Sequence, residues 1–246
     1  MVDLPLWQWC LALMCAMLIG FSKTGLGGLG AVTIPIMAMI FGGRVSSGIV
    51  LPLLIFGDII AVRRYKEHTE WSHILKLLPW AFAGIIIGTV IGRDISDELF
   101  RKIIGVIIIS GLGTMIYREK YGQDSLVVNN KIFVAAIGIL GGFATMIGNA
   151  AGPIMAVYLL STRLPKLAYI GTGAWYFMIV NVSKVPFQIF FWQGITLKTF
   201  AFNLALLPAL LLGAYIGLKV VKKIPEKEFR RITIAITALA TLKLFF

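Results

Sequence analysis

A lysine set in a glycine-rich break is the first residue in this chain with evident chemical use. Ser22-Lys23-Thr24-Gly25-Leu26-Gly27-Gly28-Leu29-Gly30 interrupts two apolar runs. Glycines there permit φ > 0 and let backbone amides turn inward. A half-helix starting at such a break aims its unpaired N–H groups, worth roughly half a positive charge, at an anion. Lys23 adds a full charge, while Ser22 and Thr24 add hydroxyl donors. A second break, Thr145 to Pro153, contains Gly148, Asn149 and Gly152 and no charge. Asn149 offers an amide there, and Pro153 suits the first turn of a returning half-helix, where no hydrogen bond is lost. The plainer alternatives are close helix contact at the glycines with Lys23 snorkelling to an interface, and Asn149 serving as a helix cap.

Two further charges lie within apolar stretches. Asp58 sits in VLPLLIFGDIIAV, and Lys184 in MIVNVSKVPFQIF beside Pro186. Ionisable groups inside a membrane are costly and face an aqueous path or one another. Lys184 is therefore a candidate substrate ligand or a partner for Asp58. Asp58 is a candidate for ion coupling, or for a structural pair with Arg63 five residues on. Asn181 occupies a place in the second half comparable to that of Asp58 in the first. No nucleophile–base or His–carboxylate constellation lies in the apolar segments, so no catalytic residue is expected. His68 and His73 read as solvated loop residues without metal partners, and the first glycine cluster lacks the Gly-Lys-Ser/Thr ending of a nucleotide loop. Neither metal nor cofactor is expected.

The elements that must position these residues follow from composition. Of 246 residues, 59% are hydrophobic and 14% charged, with a formal charge of +12. A soluble domain is about 45–50% apolar and about 25% charged, and could not hide this much apolar surface. Apolar segments run over 5–20, 29–42, 46–64, 74–92, 99–117, 131–143, 148–161, 167–192, 197–221 and 229–245. Many approach the ~20 residues that span a bilayer. The expectation is an all-α polytopic membrane protein, with lipid as a partner and no nucleic acid, since basic loops are drawn to anionic headgroups. The first ten residues lack a positive n-region, so no signal peptide is expected, and Trp7 and Trp9 suit an interfacial anchor. Cys10 and Cys15 fall on different faces of one helix and should not pair. Gly84, Gly88 and Gly92, with Gly213 and Gly217, form small-residue stripes for close helix packing.

The chain also resembles itself. Pro35-Ile36-Met37-Ala38 recurs as Pro153-Ile154-Met155-Ala156, 118 residues on, which sets Gly30 on Gly148. An offset of 129 sets Leu78-Pro79 on Leu207-Pro208, Gly84 on Gly213, Gly88 on Gly217 and Phe100 to Ile103 on Phe229 to Ile232. The larger offset implies extra residues near Gln188 to Thr199. This divides the chain into a repeat over 1–120, a linker over 121–130 and a repeat over 131–246. If each glycine-broken pair turns back as a hairpin, each repeat has about five segments and the second is inverted. With Lys23 and Lys184 set aside, 15 of the other 21 Lys and Arg then fall on one side. The other six are Arg44, Arg93, Arg101, Lys102, Lys198 and Lys243. Cytoplasmic loops are enriched in such residues, and this division is cleaner than the 12 against 9 of eight simple crossings. Inverted repeats with broken helices at matching positions point to a transporter site near the midplane.

GFSKTGLGGLGAVTIP, LPLLIFGDIIAVRRYKEH with the following EW, GGFATMIGNAAGPIMAVYLL and RLPKLAYIGTGAWYFMIVNVSKVP together resemble the TauE/SafE sulfite and organosulfonate exporter family, in order and over nearly the whole chain. The resemblance implies a multi-pass inner-membrane secondary carrier of small sulfur-containing or carboxylate anions, exporting them with ion coupling. It places the family's signatures on Lys23, Gly25, Gly27, Gly28 and Gly30, on Gly148, Asn149, Gly152 and Pro153, and on Asn181, Lys184 and Pro186. Ala151 departs from the glycine expected in many relatives and should narrow the second tip. The reading is a carrier of a small anion working by alternating access, exporting sulfite or an organosulfonate. Its alternatives are a passive anion channel and a carrier of non-sulfur carboxylates. Homo-oligomerisation stays open.

Overall fold

The computed structural model describes residues 4–92, 109 and 130–242. The expected segment 99–117, most of the polar linker, and Arg93, Arg101, Lys102, Arg118, Lys120 and Lys243 lie outside the described residues. Within them the chain forms nine α-helices and no strand. The first four are α1 (Leu6–Thr24), α2 (Thr33–Phe41), α3 (Gly43–Tyr65) and α4 (Trp71–Ile91). The remainder are α5 (Lys131–Gly148), α6 (Ala151–Ser161), α7 (Lys166–Pro186), α8 (Leu197–Lys223) and α9 (Glu226–Leu242). Among the described residues five helices are long and apolar enough to cross a membrane: α1, the stretch Val45–His68 that includes most of α3, α4, α5 and α8. The short α2 and α6 are the returning arms of the two glycine-broken hairpins.

Local chemistry sets the ends of these helices. Asn130 starts α5, its side chain accepting the Ile132 N–H at 2.9 Å, and Thr196 with Thr199 forms a reciprocal cap on α8. Each supplies acceptors that the first turn of a helix otherwise lacks. Gly42, at φ 82, separates α2 from α3 with no intervening loop. Pro35 and Pro153 both stand third in their helices, where no backbone hydrogen bond is forfeited. Cys10 is exposed and Cys15 buried, on the different faces their spacing requires.

The two halves of the chain interlock. One apolar cluster joins α1, α2 and α3 to α8 through Ala12, Ile19, Met37, Leu53 and Leu206. The larger one centres on α5, α6 and α7 with α4, through Val134, Ile154, Tyr176, Leu77 and Ala81. Each half thus packs its first three helices against the fourth helix of the other. Glycines permit this by bringing backbones together. A Cβ on Gly20 would lie 2.0 Å from the Leu210 carbonyl oxygen, and one on Gly142 2.0 Å from that of Ala81. One on Gly213 would lie 1.9 Å from the Met17 oxygen, and one on Gly84 2.1 Å from that of Ile139. These contacts correspond pairwise, at a spacing of 122 between α1 and α5 and of 129 between α4 and α8. The spacing of 118 at the prolines means that the first break is four residues longer, the length of its 3₁₀ turn Leu29–Val32.

α3 and α7 cross in opposite directions. Gly171, early in α7, lies against Tyr65 at the end of α3 and Thr69 beyond it, while Gly194, beyond α7, lies against Gly48 near the start of α3. Midway, Asn181 donates to Asp58 at 2.7 Å. A π-helical turn, Phe187–Phe191, and the residues to Thr196 take up the extra length that separates α7 from α8.

Candidate functional site

The two breaks and the α3–α7 crossing line a cavity of about 110 Å³. A single water needs only ~10–15 Å³ on that measure, so a small anion with some water fits. Its wall includes Lys23, Gly25, Gly27, Gly28 and Gly30 of the first break, Asn149 and Gly152 of the second, and Asp58 and Asn181. These nine residues singled out from sequence, with Ser22 and Pro153, therefore meet around one space. The starts of α2 (Thr33, Ile34) and α6 (Gly152, Pro153) both border it, so both helix N-termini adjoin the same volume. A Cβ on Gly27 or Gly152 would meet nothing within 4 Å. Apolar side chains, among them Val50, Leu54, Leu159 and Phe177, complete the lining.

Lys23 is the cation of this cavity. Its Nζ lies 2.7 Å from Asp58 Oδ1 and 4.4 Å from the centre of the Phe177 ring, and its side chain keeps 15% exposure. Asp58 is fully buried; its other oxygen accepts the Asn181 amide. The sequence reading offered Arg63 or Lys184 as its partner. The structure gives it Lys23, because α1 and α3 pack side by side and Arg63 turns outward. An unpaired Asp inside a membrane helix costs up to about 3 kcal/mol, and such groups accordingly pair with one another.

Lys184 is fully buried and stands behind the cavity wall, not in it. Its ammonium donates to Asn149 Oδ1 at 2.7 Å, Thr145 Oγ1 at 2.9 Å and Asn181 Oδ1 at 3.2 Å, an acceptor for each of its three hydrogens. By holding both amide oxygens, Lys184 turns the Asn181 nitrogen to Asp58 and the Asn149 nitrogen to the Ser47 carbonyl, 2.9 Å away. Asn149 sits in the left-handed region (φ 55, ψ 27), which closes α5 and starts the turn into α6. It is both cap and cavity residue. One hydrogen-bonded chain thus runs from Lys23 through Asp58, Asn181 and Lys184 to Asn149 and Thr145, joining the two breaks.

The remaining polar groups divide between cavity and scaffold. Ser22 lines the cavity and accepts the Gly30 N–H at 3.0 Å, bracing the first break. Thr24 is buried, its hydroxyl donating to the Ala214 carbonyl at 2.8 Å, and so faces α8 instead of substrate. Gly148 ends α5, and Ala151 starts α6; both lie outside the lining, so Ala151 does not narrow it. His68 is exposed, whereas His73 is half-buried with its Nδ1 3.0 Å from the Tyr158 hydroxyl, because α4 begins at Trp71 and brings it against α6. Thr145, Ser47 and Phe177 are site residues that the sequence reading passed over. The spacing of 122 that places Thr145 on Lys23 comes from the packing of α1 and α5, so the sequence match at 118 gave no signal for it.

Long apolar helices, paired broken hairpins and charges buried about a central cavity define a multi-pass membrane protein. A family model described as Sulfite exporter TauE/SafE matches residues 12–244, nearly the whole chain, and the chain belongs to that family. No curated protein and no solved structure matches it. The family is one of membrane transporters.

Proposed function

We propose that the chain is a secondary carrier of a small anion, exporting sulfite or an organosulfonate across the inner membrane by ion-coupled alternating access. The observation that carries this reading is Lys23 in the wall of a cavity bordered by both broken-helix N-termini. Lys23 supplies charge, the amides of the breaks supply direction, and the apolar lining accommodates a short carbon tail. Lys184 contributes indirectly, by holding Asn149 and Asn181.

In this reading 1–120 and 131–246 are inverted repeats. The opposed course of α3 and α7, the reciprocal glycine contacts and the division of 15 basic residues against six support it. Rocking one set of helices against the other would open the central cavity to each side in turn.

Reconstituted protein loaded with radiolabelled sulfite provides the test. Saturable efflux, slowed by competing sulfonates, is the expected result. Linear, non-saturating flux would identify a passive pore instead, and competition by simple carboxylates alone would remove the sulfur-anion assignment. Ligand binding raises the apparent stability of the folded state by mass action, so a thermal-shift series with sulfite, thiosulfate, taurine, sulfoacetate and carboxylates ranks the candidates.

A further inference from the structure

We propose, resting on the carrier reading above, that Asp58 is a surrogate anion: it occupies the substrate's place on Lys23 in the empty carrier and yields it when substrate binds. Lys23 meets the cavity with its charge already answered by Asp58 at 2.7 Å. An entering anion therefore competes with a carboxylate for the same ammonium. Asp58 lines the same cavity and is itself fully buried.

The surroundings allow the exchange. Asn181 holds the second Asp58 oxygen at 2.7 Å, so the carboxylate keeps one strong hydrogen bond when Lys23 turns to substrate. Lys23 from α1 and Lys184 from α7 are the charged groups acting on Asp58, and Arg63 and Arg64 of its own helix are exposed. Lys184 stays behind Asn181, donating to its side-chain oxygen at 3.2 Å and so keeping the amide nitrogen turned to Asp58. The positions matching Lys23 and Asp58 in the second half are Thr145 and Asn181, both neutral. The exchangeable pair is confined to one half.

The consequence concerns the return of the empty carrier. A carrier whose only counter-ion is substrate must cross empty with a bare ammonium in a low-dielectric site, which is costly. Such a protein is held to one-for-one exchange. With Asp58 on Lys23 the empty site is compensated, and net transport becomes open to it. A purely structural ion pair needs no place in a cavity wall, and apolar residues could replace it without loss.

The test compares two fluxes of radiolabelled sulfite from proteoliposomes: exchange against external sulfite, and net efflux into sulfite-free buffer. Wild type should show both at comparable rates. Asp58→Asn should lower net efflux at least about tenfold more than it lowers exchange, a small rise in one barrier being enough. Asp58→Glu, which keeps the charge, should hold the two in the wild-type ratio. Exchange in the same vesicles reports that a variant is folded. A wild type that exchanges but does not release sulfite overturns the proposal, whether or not Asp58→Asn folds, and leaves the carrier reading standing. So does an Asp58→Asn protein with an unchanged ratio. A wild type with neither flux overturns the carrier reading and this proposal together.

Discussion

At the scale of single residues, the two lysines of the site have different surroundings although both stand in apolar helices: Lys23 is partly exposed in the cavity wall and Lys184 is buried behind it. Lys23 reaches the cavity, so Lys23→Gln should reduce sulfite efflux by at least about a hundredfold, equivalent to about 2.7 kcal/mol of barrier. That variant leaves Asp58 buried without its partner, which is itself destabilising. The double variant Lys23→Gln/Asp58→Asn removes both charges; it should recover thermal stability and detergent-resistant folding but not transport. Recovery of transport would refute the role given to Lys23. Lys184 touches Asn149 and Asn181 and not the cavity. Lys184→Gln should raise KM by about tenfold to a hundredfold, the usual cost of losing an orienting partner behind a ligand. Efflux kinetics across a sulfite series separate that outcome from the loss of turnover expected at Lys23. Neither distinction follows from residue type. It follows from which ammonium faces the cavity and which is surrounded by three oxygen acceptors.

At the scale of elements, glycines of two kinds occupy the same helices and breaks. Gly84 and Gly213 lie where helix backbones touch; Gly27 and Gly152 look into open space. Gly213→Ala or Gly84→Ala should cost about 1–3 kcal/mol, the usual cost of overpacking, read as a fall in the thermal midpoint. Gly152→Ala should stay within about 0.5 kcal/mol of wild type in stability. Its transport should nevertheless fall, because the added methyl projects into the cavity. Equal effects of the two kinds of substitution on the midpoint would contradict the packing described. The stripes of glycine could be read from spacing alone, as could the breaks at Lys23 and Asn149, since apolar runs, glycines and prolines are local signals. The four-residue excess of the first break was not legible in the same way. Matching the prolines sets Gly30 on Gly148, whereas the contacts of α1 and α5 set Met17 on Ile139, and only packing registers the helices.

At the scale of the whole molecule, the interlocked halves make a prediction about sidedness. In a chain lacking its native cysteines, a cysteine replacing Lys66, beyond α3, and one replacing Lys198, at the start of α8, should react with a membrane-impermeant thiol reagent from opposite faces. Lys66 should be reached from the cytoplasmic side, where basic residues gather. Labelling of both from one face would refute the inverted arrangement. The sequence by itself determined the class of molecule, the broken hairpins and the candidate ligands, because hydropathy, glycine content and intramembrane charge act over a few residues. The tertiary structure decided the pairings: Asp58 with Lys23 and not Lys184 or Arg63, Thr24 turned to α8, Lys184 withdrawn behind the wall. These depend on which helices cross and at what height. Residues 35 or more apart in the chain meet only through the joint packing of several apolar faces, and no local pattern encodes that geometry.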